Sequence, residues 1–221
     1  MEKAVDFSTM YNLQDLFLQV VFSLQNNFYL TGGTALHRFY YKLRYSDDLD
    51  FFTHNDMLFG ESINEIMDNL KNKNLRYKRI VQSKDFQRLQ FEDMLQVDFV
   101  NDMTYREGKS VLFGNFRIDN KMNILANKVG AIVHRDEEKD VFDLVALAAH
   151  EAFSWDSVFT ITNKKCNVDR ATVIHRLLTF PLEWLENIKT ISPFTITRQM
   201  IEILCDDIKN NRYNSLHSLH Q

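Results

Sequence analysis

The hydrophobic pattern of this chain changes once, near residue 120, and that change limits the fold more than any other feature. Before it, helix-period and strand-period segments alternate; after it, strand signals almost vanish. Residues 8–25 carry Leu13, Leu16, Phe17, Val20, Val21 and Leu24 at three- and four-residue steps, which predicts a helix. A short strand-like run at Phe28–Leu30 follows, then Gly32-Gly33, then a second helix from about Thr34 to Lys42. Leu49–Thr53 reads as a strand and Gly60–Lys71 as a helix. From Arg76 to Val100 the period becomes two. Phe86–Phe91 and Leu95–Val100 are expected as strands joined by a turn near Glu92-Asp93, with a further strand across Val111–Ile118. Helices are expected at residues 121–134, 138–152, 168–179 and 195–209.

This predicts an α/β (α+β) protein: a mixed β-sheet with flanking helices over residues 1–120, then a C-terminal helical bundle over 121–221. No repeat, low-complexity tract or linker separates the two, so the helical part is expected to pack on the sheet part and complete an active-site cleft.

Composition removes several classes. Of the 221 residues 45% are hydrophobic and 25% charged, the balance of an ordinary globular protein. The 18 Phe residues, against 6 Gly and 2 Pro, allow an aromatic core and few long linkers. The N-terminal stretch lacks a basic segment followed by an apolar run, and no apolar stretch approaches membrane-spanning length, so neither secretion nor a membrane role is expected. Cys166 and Cys205 lie far apart and read as reduced thiols of a cytoplasmic protein. The net charge of -4 does not mark a nucleic-acid binder.

The chemistry concentrates in Leu30–Phe52. A strand runs into Gly32-Gly33 and then a helix; glycines let backbone approach a ligand, and a helix start suits a phosphate. Thr34 adds a hydroxyl. Fourteen residues separate Gly33 from Asp48-Leu49-Asp50. In a strand, Asp48 and Asp50 share one face while Leu49 takes the other. Two carboxylates side by side repel unless a cation lies between them, and Mg²⁺, or Mn²⁺, commonly takes one or two carboxylates plus substrate phosphates. In-line phosphoryl displacement usually needs a third carboxylate. Asp98, interrupting the apolar run Leu95–Val100, is the candidate, as metal ligand or as base; a strand-edge salt bridge is the alternative, and Glu92 the possible substitute. A lone Gly-Gly or a lone Asp-x-Asp says little, but the two in this order around a helix are far more specific.

The stretch Gly32-Gly-Thr-Ala-Leu36 … Arg44-Tyr-Ser-Asp-Asp-Leu-Asp-Phe-Phe52 resembles the AbiEii/AbiGii toxin type of nucleotidyltransferase, within the polymerase-β-like superfamily. A second block supports it: Lys128, Ala131, Arg135, then Lys139-Asp140-Val-Phe-Asp143-Leu144. Together the blocks span residues 30–144. One departure is the long interval between Gly-Gly and Asp-x-Asp, which contains Phe39-Tyr40-Tyr41. The resemblance implies a nucleotidyltransferase-type sheet and transfer of NMP from an NTP to an acceptor such as tRNA, with Mg²⁺. It also implies a toxin of a toxin–antitoxin or abortive-infection pair, with a cognate antitoxin. Asp48, Asp50 and Asp98 would hold metal; Asp48, Asp50, Asp98, Lys128 and Asp140 would be catalytic; Gly32, Gly33, Thr34, Arg44, Ser46 and Asp143 would bind nucleotide.

The second block also has a reading of its own. Lys128 lies beside an apolar helical face, and Asp140 and Asp143 share a face at i, i+3. They could pair as a salt bridge between two helices, or Lys128 could reach the triphosphate. Arg44 lines the same pocket or lies at the surface. His37 reads as a packed helix residue, and the polar tail Asn211–Gln221, with His217 and His220, as frayed and no site. Two alternatives stand beside tRNA modification: transfer to a small-molecule or protein hydroxyl, and a non-catalytic nucleotide-binding module.

Overall fold

The structure, a computed structural model, describes residues 6–71 and 73–219. Residues 1–5 of the N-terminal stretch, and His220 and Gln221 of the tail, lie outside the described residues. By its contacts the chain divides into two units. One holds the described residues up to Tyr41, with Tyr45–Thr104 and Lys109–Asp119; the other holds Lys42–Arg44, Tyr105–Gly108 and the described residues from Asn120 onward. The division differs from a single cut at residue 120 in two places. Residues 42–44 and 105–108, both short connections, belong with the helices.

In the first unit, helix α1 (Phe7–Ser23) starts where the Asp6 carboxylate accepts from Ser8 N–H at 3.0 Å. It leads to β1 (Tyr29–Thr31), a short helix α2 (Gly32–Ala35) that continues as a π-helical turn (Leu36–Tyr40), β2 (Asp48–His54) and α3 (Phe59–Lys71). Five strands complete it: β3 (Tyr77–Gln82), β4 (Phe86–Phe91), β5 (Leu95–Asp102), β6 (Val111–Phe113) and β7 (Phe116–Ile118). The sheet order is β3-β4-β5-β2-β1-β7-β6. β2 runs parallel to β5 and β1 parallel to β7, while the other neighbours are antiparallel, so the sheet is mixed as expected.

Alternation decides which face is buried. Leu49 and Phe51 on β2, Leu89 and Phe91 on β4, and Val97 and Phe99 on β5 are fully buried. Phe17 of α1 meets Phe91 edge-on with ring centroids 4.4 Å apart, and Phe28 meets Phe99 at 5.1 Å and Phe59 of α3 at 6.0 Å. Each such ring contributes roughly 1.5–3 kcal/mol by leaving water. The opposite face carries Asp48, Asp50, Arg88, Gln90 and Gln96, each half-buried.

The expected single strand at 111–118 is a hairpin, β6–β7, because Gly114 takes a left-handed φ of 60° at the turn. β3 falls in the period-two stretch that begins at Arg76 but is not among the expected strands; all six of its residues are exposed on an edge, so no buried alternation marks it.

The second unit comprises α4 (Lys121–His134), α5 (Glu138–His150), α6 (Trp155–Lys165), α7 (Arg170–Thr179) and α8 (Arg198–Lys209), with 3₁₀ turns at Leu182–Asn187 and Leu216–Leu219. Asn120, Asp169 and Thr197 cap α4, α7 and α8 through their side chains. α5 is central: every residue from Asp140 to Ala149 is buried. α6 was not expected, since Val158, Thr160, Ile161 and Thr162 are β-branched and weaken the local helical signal. It holds because Trp155, Val158 and Phe159 are buried, and Thr162 Oγ1 donates to Val158 O at 2.9 Å.

The tail also corrects expectation. Asn214 and Leu216 are buried. Asn214 Nδ2 donates to Ala148 O at 2.6 Å and to Glu151 O at 2.7 Å, satisfying carbonyls at the end of α5. The Asp207 carboxylate accepts from both Ser215 N–H and Ser215 Oγ. The polar residues that suggested fraying are the ones that fasten the tail.

Candidate active site

Two neighbouring strands bring three of the candidate carboxylates to adjacent positions. Asp50 on β2 is in register with Asp98 on β5, and Asp98 is in register with Arg88 on β4. On the other side Asp50 is in register with Thr31 of β1, the residue before Gly32. Asp48 lies two residues before Asp50 on the same face, with Leu49 buried on the other.

Gly32 abuts this row. Its φ is 73°, and a Cβ placed there would overlap Asp50 Oδ2. The glycine is therefore required twice, for the left-handed turn out of β1 and for the space that the Asp50 carboxylate occupies. Gly32→Ala is expected to displace Asp50 and destabilise the turn, costing about 1–3 kcal/mol; thermal melts and a transfer assay check it, and a variant with wild-type Tm and activity would refute the close packing.

Asp48 is oriented by neighbours rather than left to solvent. Thr34 Oγ1 donates to Asp48 O at 2.6 Å and lies 3.4 Å from Asp48 Oδ1; Ser46 Oγ lies 3.2 Å from the same carboxylate oxygen. Thr34 and Ser46 are buried. Their hydroxyls hold Asp48. Gln14 of α1 was missed by sequence reasoning. It is fully buried, and its Nε2 donates to Ser46 O at 2.9 Å and to Asp48 O at 3.4 Å. A glutamine inside an apolar helical stripe was the available signal.

Arg88 was also missed. Its Nε donates to Asp98 Oδ1 at 2.8 Å and its Nη2 to Asp98 Oδ2 at 2.6 Å. The Asp98 hydrogen bond, with the charges of Asp98, Asp50 and Asp48, raises the guanidinium pKa further against the opposing effect of burial. The salt-bridge alternative for Asp98 is thus what this conformation shows. Glu92, the substitute, pairs with Arg76 at 3.0 Å instead. Among the described residues, no three His, Cys, Asp or Glu side chains come together as a metal-holding group. Asp48 and Asp50, half-buried and on one face, still form the two-carboxylate donor set that Mg²⁺ commonly takes along with phosphates.

The second block forms a separate cluster in the helical unit. Lys128 Nζ lies 2.8 Å from Asp140 Oδ1 and 2.6 Å from Asp143 Oδ2. Arg44 Nε and Nη2 grip Asp143 at 2.7 and 2.8 Å, and Arg135 Nε and Nη2 donate to Asp140 at 2.6 and 3.0 Å. Arg44 is 2% exposed and Asp143 fully buried, which corrects the surface alternative for Arg44. Burial opposes the charge on Lys128, but Asp143 and Asp140 outweigh it and raise its pKa. Burial likewise opposes the charge on Asp140, and Lys128 and Arg135 outweigh it and lower its pKa. The long interval after Gly33 is explained here. The chain spends residues 42–44 on the helical unit, where Leu43 O accepts from Ile191 N–H at 2.8 Å, before returning at Tyr45. His37 is buried, as expected of a packed helix residue.

Among the described residues, no helix is long and apolar enough to cross a membrane.

Comparison with known proteins bears on this arrangement. Residues 16–186 match the family described as nucleotidyl transferase AbiEii toxin, type IV toxin–antitoxin system. An uncharacterized protein of Aquifex aeolicus (strain VF5) is 30% identical over 174 residues, covering 76% of this chain and 81% of its own. The crystal structure of a Helicobacter pylori protein assigned to the nucleotidyltransferases superposes with a TM-score of 0.62 at 17% identity, covering 99% of this chain and 97% of that one. JHP933 from the same organism gives 0.61 at 18% identity, covering 98% and 94%. At these identities the structural likenesses speak for the fold alone. The family match runs through both blocks, from the Gly-Gly and Asp-x-Asp stretch to Lys128, Asp140 and Asp143, and it shows that the chain belongs to the AbiEii family of nucleotidyltransferase toxins.

Proposed function

We propose that this nucleotidyltransferase transfers NMP from an NTP to an RNA acceptor, tRNA foremost, as the toxin of a toxin–antitoxin or abortive-infection pair, with Asp48 and Asp50 holding Mg²⁺. The observation that carries the reading is the row of carboxylates beside Gly32: Asp48 and Asp50 on one face, Asp98 in register on the neighbouring strand. Like charges so placed are costly without cations.

In this reading Asp48 and Asp50 hold the cation, and Thr34, Ser46 and Gln14 fix Asp48 for that task. A divalent cation there would supply charge neutralisation of the triphosphate and of the attacking and leaving oxygens. The acceptor hydroxyl attacks the α-phosphorus, its oxygen–phosphorus bond forms, and the bond to the terminal diphosphate breaks, releasing pyrophosphate. The hydroxyl proton leaves to a carboxylate, for which Asp98 is the candidate once its pair with Arg88 opens. Gly32 and Gly33 give the backbone its close approach at this row. Lys128 is carried as a cation for the triphosphate, with Asp140 and Asp143 as the carboxylates that position it.

Incubation with each labelled NTP and total RNA, in Mg²⁺ and in EDTA, tests this. Label is expected in the tRNA fraction, from one NTP above the others, and only with Mg²⁺. Label appearing on protein or a small molecule would replace the acceptor, and transfer persisting in EDTA would remove the metal role. Growth arrest on expression, relieved by a co-expressed neighbouring gene, checks the antitoxin.

A further inference from the structure

We propose that Arg88 is the resident counter-ion of the carboxylate row, and that a divalent cation gains Asp98 only when the bidentate Arg88–Asp98 pair opens. The inference rests on the proposed metal role of Asp48 and Asp50 and adds a positioning residue that the sequence blocks do not contain.

The register makes the case. Arg88, Asp98 and Asp50 stand opposite one another on β4, β5 and β2. Both Asp98 oxygens are taken by Arg88, and Gln96 Nε2 approaches Oδ2 at 3.4 Å. The Asp98 side chain is 9% exposed, so it is not left to water when the pair opens and must gain another cation. The Arg88 side chain is 38% exposed, so it can move away with little loss of packing. Neighbouring strands lie about 4.8 Å apart, so without Arg88 three carboxylates would face each other at close range. The charges of Asp50 and Asp48 act on the guanidinium too, more weakly than Asp98, which takes its hydrogen bonds. An arginine and a divalent cation therefore compete for the same oxygens. Arg88 keeps the row stable when no metal is bound, and the same pairing makes metal binding weak when no nucleotide is present.

The test is a titration of the full chain with Mn²⁺ alone, followed by electron paramagnetic resonance, on the wild type and on Arg88→Gln, Arg88→Lys and Asp50→Asn. Arg88→Gln is expected to bind Mn²⁺ about tenfold more tightly, the scale of one charge-assisted bidentate pair. Its metal-free Tm is expected to fall, and saturating Mn²⁺ to raise it by more than in the wild type. Arg88→Lys keeps the charge but cannot make the fork, so it is expected to tighten Mn²⁺ by a smaller factor. Arg88→Gln that folds and binds Mn²⁺ no better than the wild type overturns the proposal. If that variant does not fold, wild-type affinity in Arg88→Lys overturns it. Asp50→Asn separates the two readings. If it binds Mn²⁺ as the wild type does, the row is not the cation site. If it loses Mn²⁺ while Arg88→Gln gains none, only the counter-ion role fails.

Discussion

Asp50→Asn is expected to reduce nucleotide transfer by about a thousandfold or more, roughly 4 kcal/mol of transition-state stabilisation, in a protein that remains folded. The substitution removes a charge and almost no volume. Asp50 is half-buried on the polar face of β2, with Asp48 beside it and Asp98 in register, so each carboxylate raises the cost of the others. Asn removes that repulsion, so the loss of activity is expected to far exceed any change in thermal stability. That disproportion marks a functional carboxylate, since a structural one would lose stability in step with activity. A labelled-NTP assay run beside thermal melts decides it. A folded variant that keeps transfer within a few-fold of wild type would move the active centre elsewhere.

The parts of this site that local sequence showed are those where one residue type can serve one geometry. Gly32 and the Asp48–Asp50 pair were legible because a left-handed turn demands glycine and period-two alternation forces both aspartates to one face. Asp98 was legible as a charge in an apolar run, yet its partner was not. Arg88 lies ten residues away, and only the β4–β5 register puts the two opposite. Gln14 acts across 32 residues through a backbone carbonyl of Ser46, and no spacing rule joins them. The helical remainder followed the same logic. α4 was readable from its apolar stripe, whereas α6 was hidden by β-branched residues that tertiary burial overrides. The tail was misjudged because polar residues that bond carbonyls look like solvent-facing ones until their partners are known.

Asp143→Asn is expected to be among the most destabilising single changes in the helical unit, by about 3–5 kcal/mol, or on the order of 10 °C in Tm. The volume is unchanged and the charge is gone. Arg44 then keeps a guanidinium that is 2% exposed with its bidentate carboxylate neutralised, in a site that water does not reach. Lys128→Met is expected to cost less, because Asp140 retains Arg135 and Asp143 retains Arg44 after the ammonium is removed. Its larger effect is expected on nucleotide affinity of the folded protein, a loss of about tenfold, roughly 1.4 kcal/mol. Normal NTP binding by a destabilised Lys128→Met protein would leave that lysine a purely structural role. The pH dependence follows from the directions of shift. Asp140 has a lowered pKa, so its contribution is present above the ordinary aspartate value near 3.9 and is lost as pH falls through its lower folded value. Lys128 has a raised pKa, so its contribution is complete below the ordinary lysine value near 10.4 and is lost only as pH rises through a higher one. The Tm gap between wild type and Lys128→Met should therefore be constant between about pH 5 and 9 and narrow only outside that range. Replacing both members of the other buried pair, Arg44→Met with Asp143→Leu, should recover much of the stability that Asp143→Asn loses, since apolar packing can substitute for a desolvated ion pair. If the double variant is less stable than Asp143→Asn, the pair contributes more than charge balance, and the connection at residues 42–44 depends on its hydrogen bonds.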